Sequence, residues 1–216
     1  MFSNLDIIKG LLTGLSITLQ VLVYSSIFAL VVSFLFGFLS LAKWPLIRLI
    51  SSLYIEVFRG TSLLVQLFWF YFGLPILGIK LPAMFVGVLA LGLGYGAYGA
   101  VVVKSALSAV PKGQTEAAIS LNMTPYRRMR SVILPQAFLI MLPTFSNLVI
   151  ELLKGTSLVS LVTLSDLTFQ AMTMRASTME STKIFTYLLI IYFLIAYPIT
   201  IGFRRLEKRL SIGRGN

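Results

Sequence analysis

Two stretches of this sequence carry the same short pattern of charged and hydroxyl side chains. In the first, Glu56 is followed three residues later by Arg59, and in the second Glu151 is followed by Lys154. In both stretches Gly-Thr-Ser-Leu comes directly after the basic residue. Because side chains three positions apart lie on one face of a helix, each acid and base can pair. The pattern suits either a structural ion pair or the binding of a small charged solute.

The residues around both stretches are strongly apolar. Hydrophobic residues make up 57% of the 216-residue chain, too many for the surface of a soluble domain. Five apolar runs are close to or above the roughly 20 residues that span a bilayer, and none has the period-two alternation of a membrane barrel. The sequence therefore predicts an all-α membrane protein with about five transmembrane helices in one domain, 1–216. The runs are 15–41, 63–79, 81–103, 132–149 and 184–203.

Burial in a membrane narrows what the two charged stretches can do. A lone charge in a bilayer is costly, so Glu56 and Arg59 are predicted to form an intramembrane ion pair. In both stretches the Gly can relax the helix, and the hydroxyls after it can cap a half-helix whose N–H groups bind a carboxylate. The second stretch, around Gly155, is the preferred candidate for the pathway. An ion pair that only fixes packing is the alternative. The predicted substrate-pathway residues are Glu151, Lys154, Thr156, Ser157, Asn147, Tyr95 and Tyr98.

Small residues are concentrated in the third apolar run. Gly87, Gly92, Gly94, Gly96 and Gly99 fall within thirteen residues of one another. Small side chains let helix backbones approach closely in membranes, so this run is predicted to be tightly packed.

The net charge of +11 comes mostly from alternate loops. Cytoplasmic loops of membrane proteins carry an excess of Lys and Arg, which predicts an external N-terminus and a cytoplasmic C-terminus. Nucleic-acid binding is a weak alternative, since the charge follows the membrane pattern. The chain has no cysteine and no histidine, which argues against disulfides, haem, thiolate metal sites and a histidine base, and no metal site is predicted. The predicted cytoplasmic positive charges are Lys43, Arg48, Lys104, Lys112, Arg127, Arg128, Arg130, Arg204, Arg205, Lys208, Arg209 and Arg214.

A polar, basic segment separates the third and fourth runs. Residues 116–121 are predicted to form a short amphipathic helix, followed by a sharp turn at Asn122, which tolerates left-handed geometry. Thr124 and Pro125 suit the N-cap and first residue of a second short helix. Two short helices at an angle would make a rigid element, whereas an ordinary loop held to lipid headgroups by its arginines is the alternative.

The same segment resembles the coupling loop of ATP-binding-cassette importer permeases. The resemblance rests on Glu116-Ala117-Ala118, on Asn122 in place of the usual Gly, and on Leu134-Pro135. The order Glu-x-x-Arg-Gly-Thr-Ser-Leu-Leu-Val-Gln-Leu at 56–67 is typical of the polar-amino-acid branch of these permeases. The resemblance implies the type I, or MetI-like, permease fold, with a coupling loop at about 111–131. The implied coupling residues are Glu116, Ala117, Ala118, Asn122, Pro125, Arg127 and Arg128.

The resemblance also implies partners and a cargo. A second permease copy or sister permease, two ATPase subunits and an external solute-binding protein would complete an importer of the bacterial inner membrane for a small zwitterion. The stretch at 151–160 together with Asn122 is similar to ectoine-type permeases, and Leu148, where relatives for cationic substrates often have Glu, argues against a cationic cargo. The chain has no phosphate-binding loop, so it is not expected to be an enzyme. ATP and Mg²⁺ are expected to be bound by the partner subunits.

Three other functions are alternatives to this prediction. An ion-coupled secondary amino-acid transporter would need no coupling loop. A membrane enzyme would have to use Glu56, Glu151 and Asp166 without a nucleophile–base pair or metal cluster. A structural scaffold subunit would bind an ATPase without needing Glu151 or Lys154.

Overall fold

The computed structural model of this protein describes residues 4–211, and side chains from residue 7 to residue 210. Arg214 of the predicted basic tail and residues 1–3 of the predicted outer segment lie outside the described residues. Every regular element of the described chain is helical, as predicted. The helices are α1 (Asn4–Leu39), α2 (Pro45–Gly60), α3 (Leu63–Phe68), α4 (Leu74–Ile76), α5 (Ala83–Ala109), α6 (Lys112–Ser120), α7 (Pro125–Arg128), α8 (Leu134–Gly155), α9 (Leu167–Thr178) and α10 (Ser181–Ser211).

Four helical runs in residues 4–211 are long and apolar enough to span a membrane. They are Ile7–Leu39, Ala83–Ala109, Pro125–Val162 and Ser181–Leu210. A fifth candidate span is the pair Pro45–Gly60 and Leu63–Ile76, whose two parts meet at 101°. About five spans are therefore present when the bent pair counts as one.

The second span is interrupted at the first of the two Gly-Thr-Ser stretches, where a new half-helix was predicted to begin. Thr61 and Ser62 are extended, with φ, ψ of −111°, 151° and −67°, 133°. The side-chain amide of Gln66 donates to the carbonyl of Phe58 at 2.9 Å and to the Thr61 hydroxyl at 2.7 Å. One side chain thus satisfies groups that the interrupted helix leaves open, which stabilises the break.

The glycines of α5 allow α1 to pack against it. A Cβ on Gly96 would lie 2.8 Å from the side chain of Val32, and Cβ atoms on Gly92 and Gly99 would collide with Phe28 and Ser33. The hydroxyl of Ser33 donates to the carbonyl of Gly96 at 3.2 Å across this contact. The prediction that small residues bring helix backbones close together is confirmed here.

The fourth span runs without a break through Gly155, where a relaxed helix was predicted. Pro143 lies inside continuous α8, and a 3₁₀ helix, Thr156–Val162, follows Gly155 directly. Gly155 has a different role from the predicted one, because a Cβ there would lie 2.8 Å from the Tyr95 hydroxyl. The residue therefore permits a close approach of α5 and does not open the helix.

The connection between the last two spans contains a helix that packs on α1. Asp166 is fully buried and caps α9, accepting hydrogen bonds from the N–H of Phe169 at 2.9 Å and of Thr168 at 3.3 Å. The hydroxyl of Thr18 accepts from the N–H of Leu167 at 3.0 Å. Burial raises the pKa of Asp166 to about 6, although those hydrogen bonds oppose the rise.

Candidate functional site

The turn between α6 and α7 forms as its residue types predict. Asn122 is left-handed, with φ of 55°. The N–H of Met123 donates to the carbonyl of Ala118 at 3.0 Å, and that of Asn122 to Ile119 at 2.8 Å. This pair of bonds is the Schellman motif, which satisfies carbonyls at a helix C-terminus. Asn122 therefore replaces Gly without loss of the turn, although α6 begins at Lys112, earlier than predicted.

The second short helix also starts as predicted. The hydroxyl of Thr124 accepts a hydrogen bond from the N–H of Arg127 at 3.4 Å, and Pro125 is the first helical residue. A π-helical turn, Met129–Ile133, then joins α7 to α8 with no extended residue between them. The turn after Asn122 is therefore connected to the fourth span by continuous helix.

The surface around this turn mixes exposed charges with exposed apolar side chains. Leu121 and Tyr126 are 74% and 72% exposed, and Glu116 and Ala117 are exposed beside them. Ala118 is the buried residue of α6, and most of the rest of this helix is exposed. Exposed apolar groups framed by charge are typical of a protein-binding surface. We call the residues 111–131 the loop surface.

A second polar region is a cavity of about 170 Å³ between the α2–α3 break, α5 and α8. We call it the central cavity. It brings together residues from both charged stretches, although ninety residues separate them in sequence. Its lining is Phe58, Thr61, Leu63, Gln66, Gly94, Tyr95, Tyr98 and Glu151.

Tyr95 fixes the position of Glu151 in this cavity. The Tyr95 hydroxyl donates to the backbone carbonyl of Glu151 at 2.8 Å. The carboxylate is exposed, and no hydrogen bond or ion pair to it is found within the described residues. The backbone of Glu151 is thus held in place while its charge stays available to a solute.

The predicted ion pair between Glu56 and Arg59 is wrong for this structure. Both residues lie in the described chain, and no ion pair joins them. The guanidinium of Arg59 instead lies over the ring of Tyr98, 5.2 Å from its centroid. A cation over an aromatic face is attracted by the negative ring face, which competes with pairing to an exposed carboxylate. Arg59 therefore lies beside the central cavity through its contact with Tyr98.

The remaining predicted pathway residues do not line the central cavity. The hydroxyl of Thr156 donates to the carbonyl of Leu153 at 2.7 Å, and that of Ser157 donates to Lys154 at 2.8 Å. These hydroxyls turn back onto their own helix because the chain stays helical there. Lys154 is exposed, and Asn147 lines a different cavity between α8 and α10.

Sequence reasoning missed Gln66 and Thr61. Besides stabilising the helix break, Gln66 has a buried side-chain oxygen that lacks a partner among the described residues. A Cβ on Gly94 would lie 3.5 Å from that oxygen, so the cavity wall is open beside it. The sequence feature that could have identified Gln66 is an amide side chain in an otherwise apolar run. Such a polar group is costly in a membrane unless it has a function.

Comparisons with known proteins identify the family. Residues 6–212 match the family described as "Binding-protein-dependent transport system inner membrane component". The chain belongs to this family. The probable amino-acid ABC transporter permease y4tF of Sinorhizobium fredii is 51% identical over 172 residues, covering 77% of this chain and 72% of that protein. The arginine transport system permease ArtQ of Bacillus subtilis is 34% identical over 76% of this chain and 75% of its own length.

Solved structures give the same assignment. An amino acid ABC transporter crystallised with histidines superposes with a TM-score of 0.88 at 33% identity, over 97% of this chain and 99% of that chain. The inward-facing MetNI methionine transporter has a TM-score of 0.79 over 94% and 96% of the two chains, and at 22% identity it shows the shared fold. The protein is a multi-pass inner-membrane subunit of a binding-protein-dependent ABC importer of the amino-acid type. The predicted MetI-like fold is confirmed, and the secondary-transporter alternative gains no support.

Proposed function

We propose that this permease translocates a polar amino acid or similar zwitterion through the central cavity. The single observation that carries the proposal is the free carboxylate of Glu151 in a cavity beside Arg59 and Gln66. An ammonium group would bind the Glu151 carboxylate, and the carboxylate of the solute would bind the guanidinium of Arg59. The relatives named for arginine and amino-acid transport support this class of cargo. The resemblance to ectoine-type permeases remains a narrower prediction within it.

A second permease copy, or a sister permease, would complete the pathway. Asn147, Glu151 and Lys154 are exposed along one side of α8, inside a candidate membrane span. Polar and charged side chains at such depth are costly against lipid and normally face protein or a water-filled path. A partner permease facing this side of α8 would cover it and enclose the central cavity.

The loop surface would bind a separate ATPase subunit, which would also bind ATP and Mg²⁺. Its exposed Leu121 and Tyr126 supply apolar contact, and Glu116, Arg127 and Arg128 supply charge. Orientation follows from the distribution of Lys and Arg, which favours a cytoplasmic loop surface and C-terminus and an external N-terminus. An external binding protein would deliver the solute to the opposite side.

Reconstitution tests the proposal directly. Proteoliposomes are prepared with the permease and its copurifying ATPase, and the solute-binding protein encoded beside them is added. Uptake of radiolabelled arginine, glutamine, cystine or ectoine is then measured. We expect accumulation of at least one solute that requires ATP and persists with an uncoupler. Uptake that persists without ATP and is abolished by the uncoupler would instead establish a secondary transporter.

A further inference from the structure

A second polar cavity lies between α8 and α10, separate from the central cavity. Its volume is about 170 Å³. Hydroxyl, amide, guanidinium and carboxylate groups all contribute to its wall. We call it the α8–α10 cavity, and its polar lining is Ser146, Asn147, Thr200, Arg204 and Glu207.

The two charged residues of this cavity are not paired with each other. Arg204 and Glu207 lie three positions apart on α10, a spacing that favours an ion pair on one helix face. Both are exposed and within the described residues, yet no ion pair joins them. A guanidinium and a carboxylate are therefore presented to the same cavity, which complements a solute that carries one charge of each sign.

The α8–α10 cavity is adjacent to the central cavity along α8. Asn147 lines the first, and Glu151 lines the second. Four residues of α-helix correspond to a rise of about 6 Å, and the two side chains lie on the same helix face. A solute that leaves Glu151 toward the basic end of α10 passes Asn147 next.

We propose that the α8–α10 cavity is an exit site for the transported zwitterion. Arg204 binds its carboxylate and Glu207 binds its ammonium group, while Asn147 and Ser146 provide hydrogen bonds. The inference rests on the proposed function and on the cytoplasmic orientation of α10. A site here holds the solute after it has crossed the membrane, so occupancy rises with the cytoplasmic solute concentration.

Because the chain has no cysteine, one engineered thiol can report occupancy. The Ser146→Cys variant, assembled with its ATPase, is labelled in inside-out vesicles by a membrane-impermeant methanethiosulfonate reagent. The probe is a mixture of the common L-amino acids other than cysteine, which would itself react with the reagent, together with ectoine in large excess. We expect the mixture to slow labelling of this thiol, and Arg204→Gln to weaken that protection about tenfold, the effect of losing one charged hydrogen bond.

Matched variants separate the site from general effects of charge. Arg205→Gln removes the neighbouring positive charge outside the cavity lining and should leave protection unchanged, and a thiol at Ser105→Cys should label without protection. No protection of Ser146→Cys, or equal loss with Arg204→Gln and Arg205→Gln, overturns the proposal. A thiol that is exposed only when the vesicle phospholipid is changed, with no effect of the solutes, would identify a lipid site instead and also overturns it. Protection in vesicles whose complete transporter shows no ATP-driven uptake would refute the proposed function while the site stands.

Discussion

The hydroxyl of Tyr95 donates a hydrogen bond of 2.8 Å to the backbone carbonyl of Glu151. This bond joins α5 to α8 at the wall of the central cavity, at the point where Gly155 lets the two helices approach. It involves the backbone of Glu151, which leaves the side chain to act independently. Structure and transport at this position can therefore be separated by mutation.

Tyr95→Phe removes only the hydroxyl, so the carbonyl of Glu151 loses that partner. Because the carbonyl lies within α8 and keeps its helical partner, the loss is that of one net hydrogen bond, about 0.5–1.5 kcal/mol. We expect a lower thermal midpoint of the purified complex together with reduced uptake in proteoliposomes. Tyr71→Phe is the control, since it removes a tyrosine contact of 2.8 Å to Thr163 outside the central cavity lining. Equal loss of uptake in both variants would contradict a specific role for Tyr95.

Glu151→Ala should reduce uptake strongly while the complex still assembles. The Tyr95 bond to the backbone survives this change, so the helix contact is retained. Loss of one charged interaction with the solute predicts at least about a tenfold fall in uptake rate. Glu151→Gln should also be impaired, and Glu56→Ala, outside the cavity lining, is the comparison. Failure of Glu151→Ala to assemble, with normal uptake by Glu151→Gln, would show that the residue only supports packing.

Glu116→Lys should separate ATP hydrolysis from transport or release the ATPase. The residue is exposed on α6, and a reversed charge there disturbs the loop surface without changing the membrane spans. Copurification of the ATPase and the ratio of solute transported to ATP hydrolysed are the two measurements. Glu180→Lys, the same change on the α9–α10 connection, breaks the ion pair with Lys183 and should lower stability, but it should leave the ratio intact. Normal coupling in Glu116→Lys would rule out this role for the loop surface.

Asn122 can be tested by its backbone conformation alone. Its φ of 55° suits Gly as well as Asn, so Asn122→Gly should preserve coupling. Asn122→Val places a β-branched residue in the left-handed region, at a cost of at least about 1–2 kcal/mol. We expect Val to distort the end of α6 and to lower coupled uptake at normal expression. Equal uptake in the Gly and Val variants would mean that the left-handed turn is not required.

The buried carboxyl of Asp166 predicts a pH dependence of stability. Its pKa rises on folding from 3.8 to about 6, so folding favours the protonated form. The associated stabilisation is complete below about pH 4 and is lost as the pH rises through 6, a total of about 3 kcal/mol. Asp166→Asn retains a capping side chain and should remove this dependence. Thermal midpoints between pH 4 and 7 measure the difference, and parallel curves for the two proteins would refute the prediction.

The conformation of the loop surface could be predicted from the sequence because the residues that decide it are close together in the chain. A helix end at Asn122 and a new helix at Thr124–Pro125 depend on side chains that act within four residues. The Schellman bonds and the cap at Thr124 appear where those residue types place them. Nothing distant is needed to form this turn.

The repeated tetrapeptide Gly-Thr-Ser-Leu shows why the central cavity could not be predicted from local residue types. After Arg59 the Thr and Ser of the tetrapeptide are extended, whereas after Lys154 all four residues are helical. Gln66 stabilises the first conformation through contacts with Phe58 and Thr61, while Tyr95 packs against Gly155 in the second. These contacts come from outside the tetrapeptide, and they override its weak intrinsic preference. The pairing of Arg59 with Tyr98 depends on tertiary packing for the same reason.

The helical run from Pro125 to Val162 has a consequence for the timing of transport. Its 38 residues contain no extended linker, and one π-helical turn lies near its start. A flexible segment would let one end of the run move before the other, because the segment could absorb the displacement. A continuous helix has no segment of this kind. Displacement at the loop surface and displacement at Glu151 therefore belong to one kinetic event, and a probe at either end should report the same rate constant.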